Sequence, residues 1–410
     1  MKLLFCSDLH LGRTATQLPD TWQEACRTVN WLQELVQTAI DHQVNALLIG
    51  GDLVDAENRF WEALGPLEQA ANRLQQAGIR LIAVAGNHDA HLLPQFASVL
   101  GPDRFTLLGA GGTWETLLLP DAAHPRLRLI GWSFPQTHVS TNPLLEFPAV
   151  LEGPPHLPTL GIVHGDLGAS QSVYAPLSLQ ELQRQSVDGW LLGHLHQPRL
   201  HPGSPWVLMP GSPFPLDPSE TGPHHAWLLE FSGTAPAHPT PVCPAPLRYD
   251  SLAFNLPDPE ALEPQFLQDA LRRHLPSERP ARMLLDLEFT CAFSSLSLRG
   301  HLETMRQDWE PLPGVRFRHI RYRDQPAPTL PDTALPLRRH LQDLLQEAPW
   351  PKELIAALEE AEATVNRTPG FSALPDTEPP PDSKTLVLHL LAQLAESPSG
   401  QASFLRGNPP

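Results

Sequence analysis

The chain has 410 residues, 41% of them hydrophobic, which is long and apolar enough for two or three globular domains. Its formal net charge of −17 excludes a protein that holds nucleic acid through broad phosphate neutralisation alone. Four scattered cysteines without a Cys-x-x-Cys pair exclude a disulfide scaffold. The lack of a long apolar run or a signal-peptide core predicts a cytoplasmic protein with no membrane partner.

The first 230 residues alternate between predicted strands and helices. Apolar runs at 2–7, 46–50 and 81–85 predict three strands. Helical spacing of apolar residues from Trp22 to Ile40, and from Phe60 to Leu74, predicts the two helices between them. This βαβαβ order favours a parallel sheet covered by helices. Further strands are predicted at 104–108, 113–119, 127–132, 159–163, 189–192, 206–209 and 226–231. Together they indicate a two-sheet α/β sandwich.

Two proline-rich segments divide the rest of the chain. Residues 233–246 hold five prolines and predict a stiff linker, and residues 324–334 predict a second hinge. Between them, strands at 247–255, 282–290 and 315–323 and helices at 259–274 and 300–309 predict a small α+β module. We therefore expect a main domain over 1–232, an α+β capping domain over 247–324, C-terminal helices over 335–396 and a flexible tail over 397–410.

Five short motifs place Asp, His or Asn directly after an apolar strand. They are Asp8-Leu9-His10, Gly51-Asp52, Gly86-Asn87-His88-Asp89, His164-Gly165 and Gly193-His194-Leu195-His196. Each alone would suit a turn or an ordinary hydrogen-bonded histidine. Because ligands of open α/β sheets bind beyond the carboxyl ends of the strands, five such motifs in succession predict one shared site.

The side chains in these motifs suit two divalent metal ions. Carboxylates, an amide oxygen and imidazoles favour manganese, iron or zinc over thiophilic metals. The candidate ligands are Asp8, His10, Asp52, Asn87, His164, His194 and His196. If Asp52 bridges, each ion receives four protein ligands. A pair of ions can clamp a phosphoryl group and activate water for its hydrolysis.

The order D-x-H, GD, GNHD, H and GHxH across residues 1–230 resembles the calcineurin-like metallophosphoesterase superfamily. The resemblance implies a metallophosphoesterase core with the two-sheet fold and a dinuclear metal site. One ion would be held by Asp8, His10, Asp52 and His196, and the other by Asp52, Asn87, His164 and His194. It also implies that His88 contacts the phosphate and protonates the leaving oxygen. Asp89 would either orient His88 or cap the following helix.

Three longer segments are most similar to the SbcD-type and YhaO-like DNA repair exonuclease branch. They are SDLHLGR at 7–13, GGDLVD at 50–55, and MPGSP at 209–213 with GPHHAWLLEF at 222–231. The resemblance implies a manganese-dependent nuclease, with iron or zinc as alternative metals, that acts on DNA. It further implies that the C-terminal helices bind an SbcC-type coiled-coil ATPase, and it leaves a homodimer open. Some members of the branch carry a catalytic His where this chain has Asp55, which would instead cap a helix.

Two other functions remain open from the sequence. The chain could hydrolyse a small phosphate ester, or it could be a non-catalytic subunit that grips DNA ends. The intact ligand set favours hydrolysis, and the cap and terminal helices favour DNA. A basic strand suits DNA contact as well as it suits a solvated sheet edge. Its residues are Arg316, Arg318, Arg321 and Arg323, with Phe317 and Tyr322 interleaved. His224 and His225 are expected at the surface.

Overall fold

A computed structural model describes residues 1–55, 60–169, 171–232, 238–256, 273, 280–291 and 314–324. The helices predicted at 259–274 (apart from Arg273) and 300–309, the C-terminal helices and the tail lie outside the described residues. The described residues fall into two compact units. The first consists of residues up to 250 together with 280–283, and the second of the other described residues from 251 onward.

Two six-stranded sheets build the first unit and confirm the predicted α/β sandwich. The first sheet is ordered β12 (Pro239–Val242), β11 (Ala226–Glu230), β1 (Lys2–Cys6), β2 (Ala46–Ile49), β3 (Arg80–Ala83) and β4 (Thr106–Leu107). Strands β1 to β4 run parallel, whereas β11 and β12 are antiparallel additions at one edge.

The second sheet is ordered β5 (Glu115–Leu119), β6 (Leu127–Trp132), β7 (Thr159–His164), β8 (Gly189–Gly193), β10 (Trp206–Met209) and β9 (Arg199–His201). Its four central strands are parallel and both edge strands are antiparallel. The main apolar core joins residues of both sheets, among them Leu3, Phe5, Leu48, Ile82, Leu129, Leu160, Ile162, Leu191 and Leu208. Burial of this apolar area is the main force that holds the sheets together.

Five α-helices accompany the two sheets in the described part of the chain. They are α1 (Asp20–Gln23), α2 (Thr28–Asp41), α3 (Phe60–Gln76), α4 (Leu93–Leu100) and α5 (Leu179–Gln183). The single helix predicted from Trp22 to Ile40 is wrong, because Arg27 is extended (φ −81°, ψ 139°) and separates α1 from α2. The Thr28 hydroxyl donates to the carbonyl oxygens of His10 at 3.2 Å and Arg13 at 3.1 Å. Arg27 also pairs with Thr14 in an isolated antiparallel bridge, and the Thr28 N–H donates to the Arg13 carbonyl at 3.2 Å, so the backbone here bonds a distant loop instead of a helical turn.

The predicted linker over 233–246 is wrong in its second half. Residues Pro239–Val242 form β12, which pairs with β11 in register from Leu229 opposite Pro239 to Ala226 opposite Val242. Proline is tolerated there because an edge strand hydrogen-bonds on one side only. Pro content alone therefore did not separate a linker from an edge strand.

A separate three-stranded sheet follows, ordered β13 (Leu247–Leu256), β14 (Arg282–Cys291) and β15 (Val315–Asp324). The basic strand is the edge strand β15. The Nε atom of Arg318 lies 2.8 Å from an Asp286 carboxylate oxygen, whereas Arg316 and Arg321 are exposed. In the residues that the structure describes, no helix is long and apolar enough to cross a membrane.

Two glycines in the second sheet make room for indole rings. A Cβ atom on Gly161 would lie 2.3 Å from the Trp190 ring, and one on Gly189 would lie 2.3 Å from the Trp206 ring. Trp190 is fully buried, so its ring cannot turn into solvent to make room for a side chain at Gly161.

Gly161→Ala should therefore lower the free energy of unfolding by about 1–3 kcal/mol through overpacking. Urea denaturation measures this change. The matched control is Gly65→Ala on α3, where an added Cβ would meet nothing within 4 Å. Because alanine has a greater helix propensity than glycine, Gly65→Ala should leave the free energy of unfolding unchanged or raise it by up to about 1 kcal/mol. Equal stability of the two variants would contradict the tight Gly161–Trp190 contact.

Candidate metal centre

The carboxyl ends of five strands bring the predicted site residues together. In the first sheet, Asp8 and His10 follow β1, Asp52 follows β2, and Asn87 and His88 follow β3. In the second sheet, His164 ends β7, and His194 and His196 follow β8. Contacts cross from one sheet to the other: the backbone N–H of His194 donates to the Asp8 carboxylate at 3.1 Å. All eight side chains named from the sequence lie in or beside this one cluster.

Several of these residues have left-handed backbone conformations. The φ angles are 57° for Asp8, 48° for His10, 49° for Asp52 and 103° for His194. Each such residue costs of order 1–3 kcal/mol, and the surrounding structure must enforce it. Backbone hydrogen bonds do so here, from Asp8 N–H to the Gly51 carbonyl at 3.0 Å and from His10 N–H to the Asp52 carbonyl at 2.9 Å.

Gly51 shows why the motif needs glycine next to a candidate ligand. Its φ is +99°, and a Cβ atom there would lie 2.4 Å from Nδ1 of His164. Both the backbone conformation and the close approach of the imidazole exclude a side chain at this position.

A first group of candidate ligands consists of Asp8, His10 and His196, whose ligand atoms all lie within 4.8 Å of one another. His196 Nε2 is 3.8 Å from Asp8 Oδ1, and the rings of His10 and His196 are 5.3 Å apart. His10 is buried, and neither of its ring nitrogens has a hydrogen-bond partner. Of the two, Nε2 is the one that lies 3.9 Å from Asp52 Oδ2. Because buried polar atoms are normally hydrogen-bonded, this nitrogen fits a metal ligand.

A second group consists of Asp8, Asp52 and His164, which are all buried. His164 Nδ1 donates to the Gly50 carbonyl at 2.9 Å, which directs Nε2 toward Asp52 Oδ2 at 3.4 Å and Asn87 Oδ1 at 3.2 Å. Both of these oxygens are acceptors. A proton or a cation must therefore lie between them and the imidazole nitrogen. Neutral imidazole, carboxylate and amide oxygen together suit a divalent ion.

The pKa values reflect this arrangement. Burial alone would raise the pKa of Asp52, but the charge and hydrogen bond of His164, together with the charges of His10 and His88, hold that pKa below its ordinary value. Burial lowers the pKa of His164, but the charge and hydrogen bond of Asp52, together with Asp8 and the Gly50 carbonyl, raise it to about 9. Burial and the neighbouring charge of His164 lower the pKa of His194 to about 4. The cluster thus favours one positive charge beside Asp52.

His88 differs from the buried ligands because its side chain is exposed. Its ring packs edge-on against His10 at 4.9 Å, and its Nδ1 donates to the Asp55 carbonyl at 2.8 Å. Its backbone N–H donates to Asp52 Oδ1 at 2.9 Å. His10, Asp55 and His88 also offer ligand atoms within 4.8 Å of one another. The exposed imidazole is placed to meet a molecule that enters from solvent.

Both predictions for Asp89 are wrong. Its carboxylate accepts backbone N–H groups from Gly86 at 2.8 Å, Leu53 at 2.7 Å and Val54 at 3.3 Å, so it joins the loops after β2 and β3. The helix that follows has Leu92 at its N-cap. Burial and the charge of Asp52 raise the pKa of Asp89 to about 7. Sequence spacing could not reveal that the distant N–H groups of Leu53 and Val54 converge on this side chain.

Sequence reasoning also missed the residues behind His196. Glu220 Oε1 lies 2.9 Å from His196 Nδ1, and the Ser212 hydroxyl donates to Glu220 Oε2 at 2.6 Å. His224 was expected at the surface, but it is buried and its Nδ1 donates to the Ser212 carbonyl at 2.6 Å. Ser212 and His224 lie in the segments that resemble the exonuclease branch, whereas Glu220 falls between those segments.

Comparisons with known proteins show which family, relatives and solved structures this chain is similar to. The calcineurin-like phosphoesterase family matches residues 1–198. The uncharacterized metallophosphoesterase YhaO of Bacillus subtilis (strain 168) is 25% identical over 204 residues, which cover 49% of this chain and 49% of YhaO. The SbcD subunit of the SbcCD nuclease of Escherichia coli (strain K12) is 27% identical over 270 residues, 57% of this chain and 65% of that protein. The chain thus matches about half to two thirds of the length of these relatives. A solved dimetal phosphatase from Danio rerio aligns with 59% of this chain and 98% of its own, at 13% identity and a TM-score of 0.36.

Asp89→Ala should destabilise the metal-free protein by at least about 2 kcal/mol, because it leaves buried backbone N–H groups without an acceptor. Urea denaturation measures the loss. Asp121→Ala is the matched control, since that exposed carboxylate also accepts two backbone N–H groups, from Ala123 and His124, both at 2.8 Å. Water can replace it there, so the cost should stay below about 1 kcal/mol. Similar losses in the two variants would contradict the role given to Asp89.

Proposed function

Because residues 1–198 form a calcineurin-like metallophosphoesterase domain, we propose that the chain is a metal-dependent nuclease that cleaves phosphodiester bonds of DNA. The observation that carries the proposal is the convergence of buried carboxylates and imidazoles at the strand ends, with an unpaired imidazole nitrogen on His10. The relative from Escherichia coli, which is named as a nuclease, supports a nucleic-acid substrate.

The proposed centre holds two divalent ions. One is assigned to Asp8, His10, Asp52 and His196, and the other to Asp52, Asn87, His164 and His194. Manganese is the proposed metal, with iron and zinc as alternatives, because this mixture of oxygen and imidazole donors suits all three. When bound, such ions neutralise charge on the phosphodiester and lower the pKa of water.

His88 is proposed to act on the leaving group. Its Nδ1 is held by the Asp55 carbonyl at 2.8 Å, which leaves Nε2 free to carry a proton. Imidazole is the side chain best suited to exchange a proton near neutral pH, so it can give that proton to the leaving oxygen. The edge-on contact with His10 keeps the ring beside the proposed metal position.

The remaining parts of the chain are proposed to serve DNA and a partner. Residues 247–324 would form a cap that positions DNA, in which the exposed Arg316 and Arg321 of β15 are available for phosphate contact. The C-terminal helices at 335–396 are proposed to bind an SbcC-type coiled-coil ATPase. The name of the relative, which is one subunit of a larger nuclease, supports a partner. We also propose that the protein acts in the cytoplasm in DNA repair.

The purified full chain with Mn²⁺ should shorten end-labelled linear DNA and hydrolyse bis(p-nitrophenyl) phosphate, and EDTA should abolish both activities. Asp52→Ala, which removes the proposed bridging ligand, is the inactive control. Hydrolysis of the chromogenic ester alone would identify a phosphodiesterase of small esters. Binding of DNA ends without any hydrolysis would identify a non-catalytic subunit. Either result would reject the nuclease proposal.

His88→Ala should retain two metal ions per chain and lose about 10²–10⁴-fold in kcat, the usual contribution of a general acid. Metal analysis and steady-state kinetics on the chromogenic ester measure the two quantities. His91→Ala, an exposed histidine three residues further on, is the control and should leave both unchanged. Loss of one ion from the His88 variant would make His88 a ligand and would refute the proton-donor assignment.

A further inference from the structure

We infer that Asp55 and Glu220 are positioning residues that make one of the two metal positions the tighter one. The inference rests on the proposed dinuclear centre. The tighter position is the one that contains Asp8, His10 and His196. Both of its imidazoles have a carboxylate behind Nδ1, on the side of the ring away from the proposed ion.

Glu220 holds His196 in a rigid arrangement. Its Oε1 lies 2.9 Å from His196 Nδ1, and its Oε2 accepts the Ser212 hydroxyl at 2.6 Å and the Leu216 N–H at 3.2 Å. Glu220 is only 7% exposed, so water does not compete for these oxygens. The carboxylate keeps the imidazole proton on Nδ1. The lone pair of Nε2 therefore faces Asp8, whose Oδ1 is 3.8 Å away.

Asp55 lies on the same side of His10, close to Nδ1 but without hydrogen-bond geometry. Asp55 Oδ1 lies 3.2 Å from His10 Nδ1 and 3.6 Å from Nη1 of Arg13. The backbone N–H of Asp55 donates to the Leu11 carbonyl at 3.3 Å, which fixes the residue beside the loop that carries His10. The other ring nitrogen of His10, Nε2, also has no hydrogen-bond partner and lies 3.9 Å from Asp52 Oδ2.

The other metal position has a different partner behind its buried histidine. His164 Nδ1 donates to the backbone carbonyl of Gly50 at 2.9 Å, a neutral dipole rather than a carboxylate. A carboxylate behind a histidine ligand orients the ring, fixes its tautomer and makes the ring a stronger donor. We therefore expect a cation to bind more tightly at the position that has two carboxylates behind its histidines than at the position that contains His164.

The test is a titration of the metal-free full chain with Mn²⁺ by calorimetry, with metal analysis at saturation. The wild-type protein should bind two ions in two steps of different affinity. Glu220→Gln and, separately, Asp55→Asn should weaken the tighter step by about 10–100-fold and leave the weaker step unchanged. Glu181→Gln is the matched control, because its carboxylate binds Ser178 and Asn142 instead of an imidazole.

Asn87→Ala identifies the steps, because Asn87 belongs only to the other position. It should abolish the weaker step and keep the tighter one. Thermal melting of the metal-free variants shows whether the fold is intact. An unchanged tighter step in both carboxylate variants, or an equal loss in both steps, would overturn the inference. A wild-type chain that binds fewer than two ions would instead reject the proposed function itself.

Discussion

Carboxylates and imidazoles from both sheets are buried against one another, and this arrangement requires a positive charge among them. Asp8, Asp52 and Asn87 all offer oxygen acceptors, and His164 Nε2 lies within 3.4 Å of two of these groups. Burial of unpaired carboxylates costs several kcal/mol per ion. Each loop around the centre therefore has to place an acceptor group next to this charge and hold it there.

The loops hold the ligands with strained backbone conformations, and hydrogen bonds to neighbouring groups offset the cost of this strain. Asp8, His10 and Asp52 hold left-handed conformations that β-strand ends do not ordinarily adopt. Asp89 lies beneath them and gathers three backbone N–H groups from two loops. A fixed backbone keeps each ligand in its position before any ion arrives, so little reorganisation is needed on binding.

The sequence was sufficient to predict the α/β sandwich and the clustering of the candidate ligands, because short apolar runs mark the strands and the motifs follow the strand ends directly. It was insufficient where a residue acts through contacts with distant backbone. Asp89 binds the N–H groups of Leu53 and Val54, and Glu220 binds His196, and no local pattern connects these partners. His224 is buried although it lies in the loop before β11. The break at Arg27 had a similar cause. The apolar period continues through it, but Arg27 pairs with Thr14 and Thr28 bonds the loop that carries His10 and Arg13.

The two edge strands of the first sheet, β12 and β4, offer few groups for pairing with another strand. Pro239 and Pro241 occupy alternate positions along it, and neither has an N–H group to offer to another strand. The opposite edge, β4, is only two residues long. Exposed sheet edges normally invite pairing with a second molecule, which leads to aggregation. Both margins of this sheet are thus poor templates for such growth, which protects the folded protein from edge-to-edge association at high concentration.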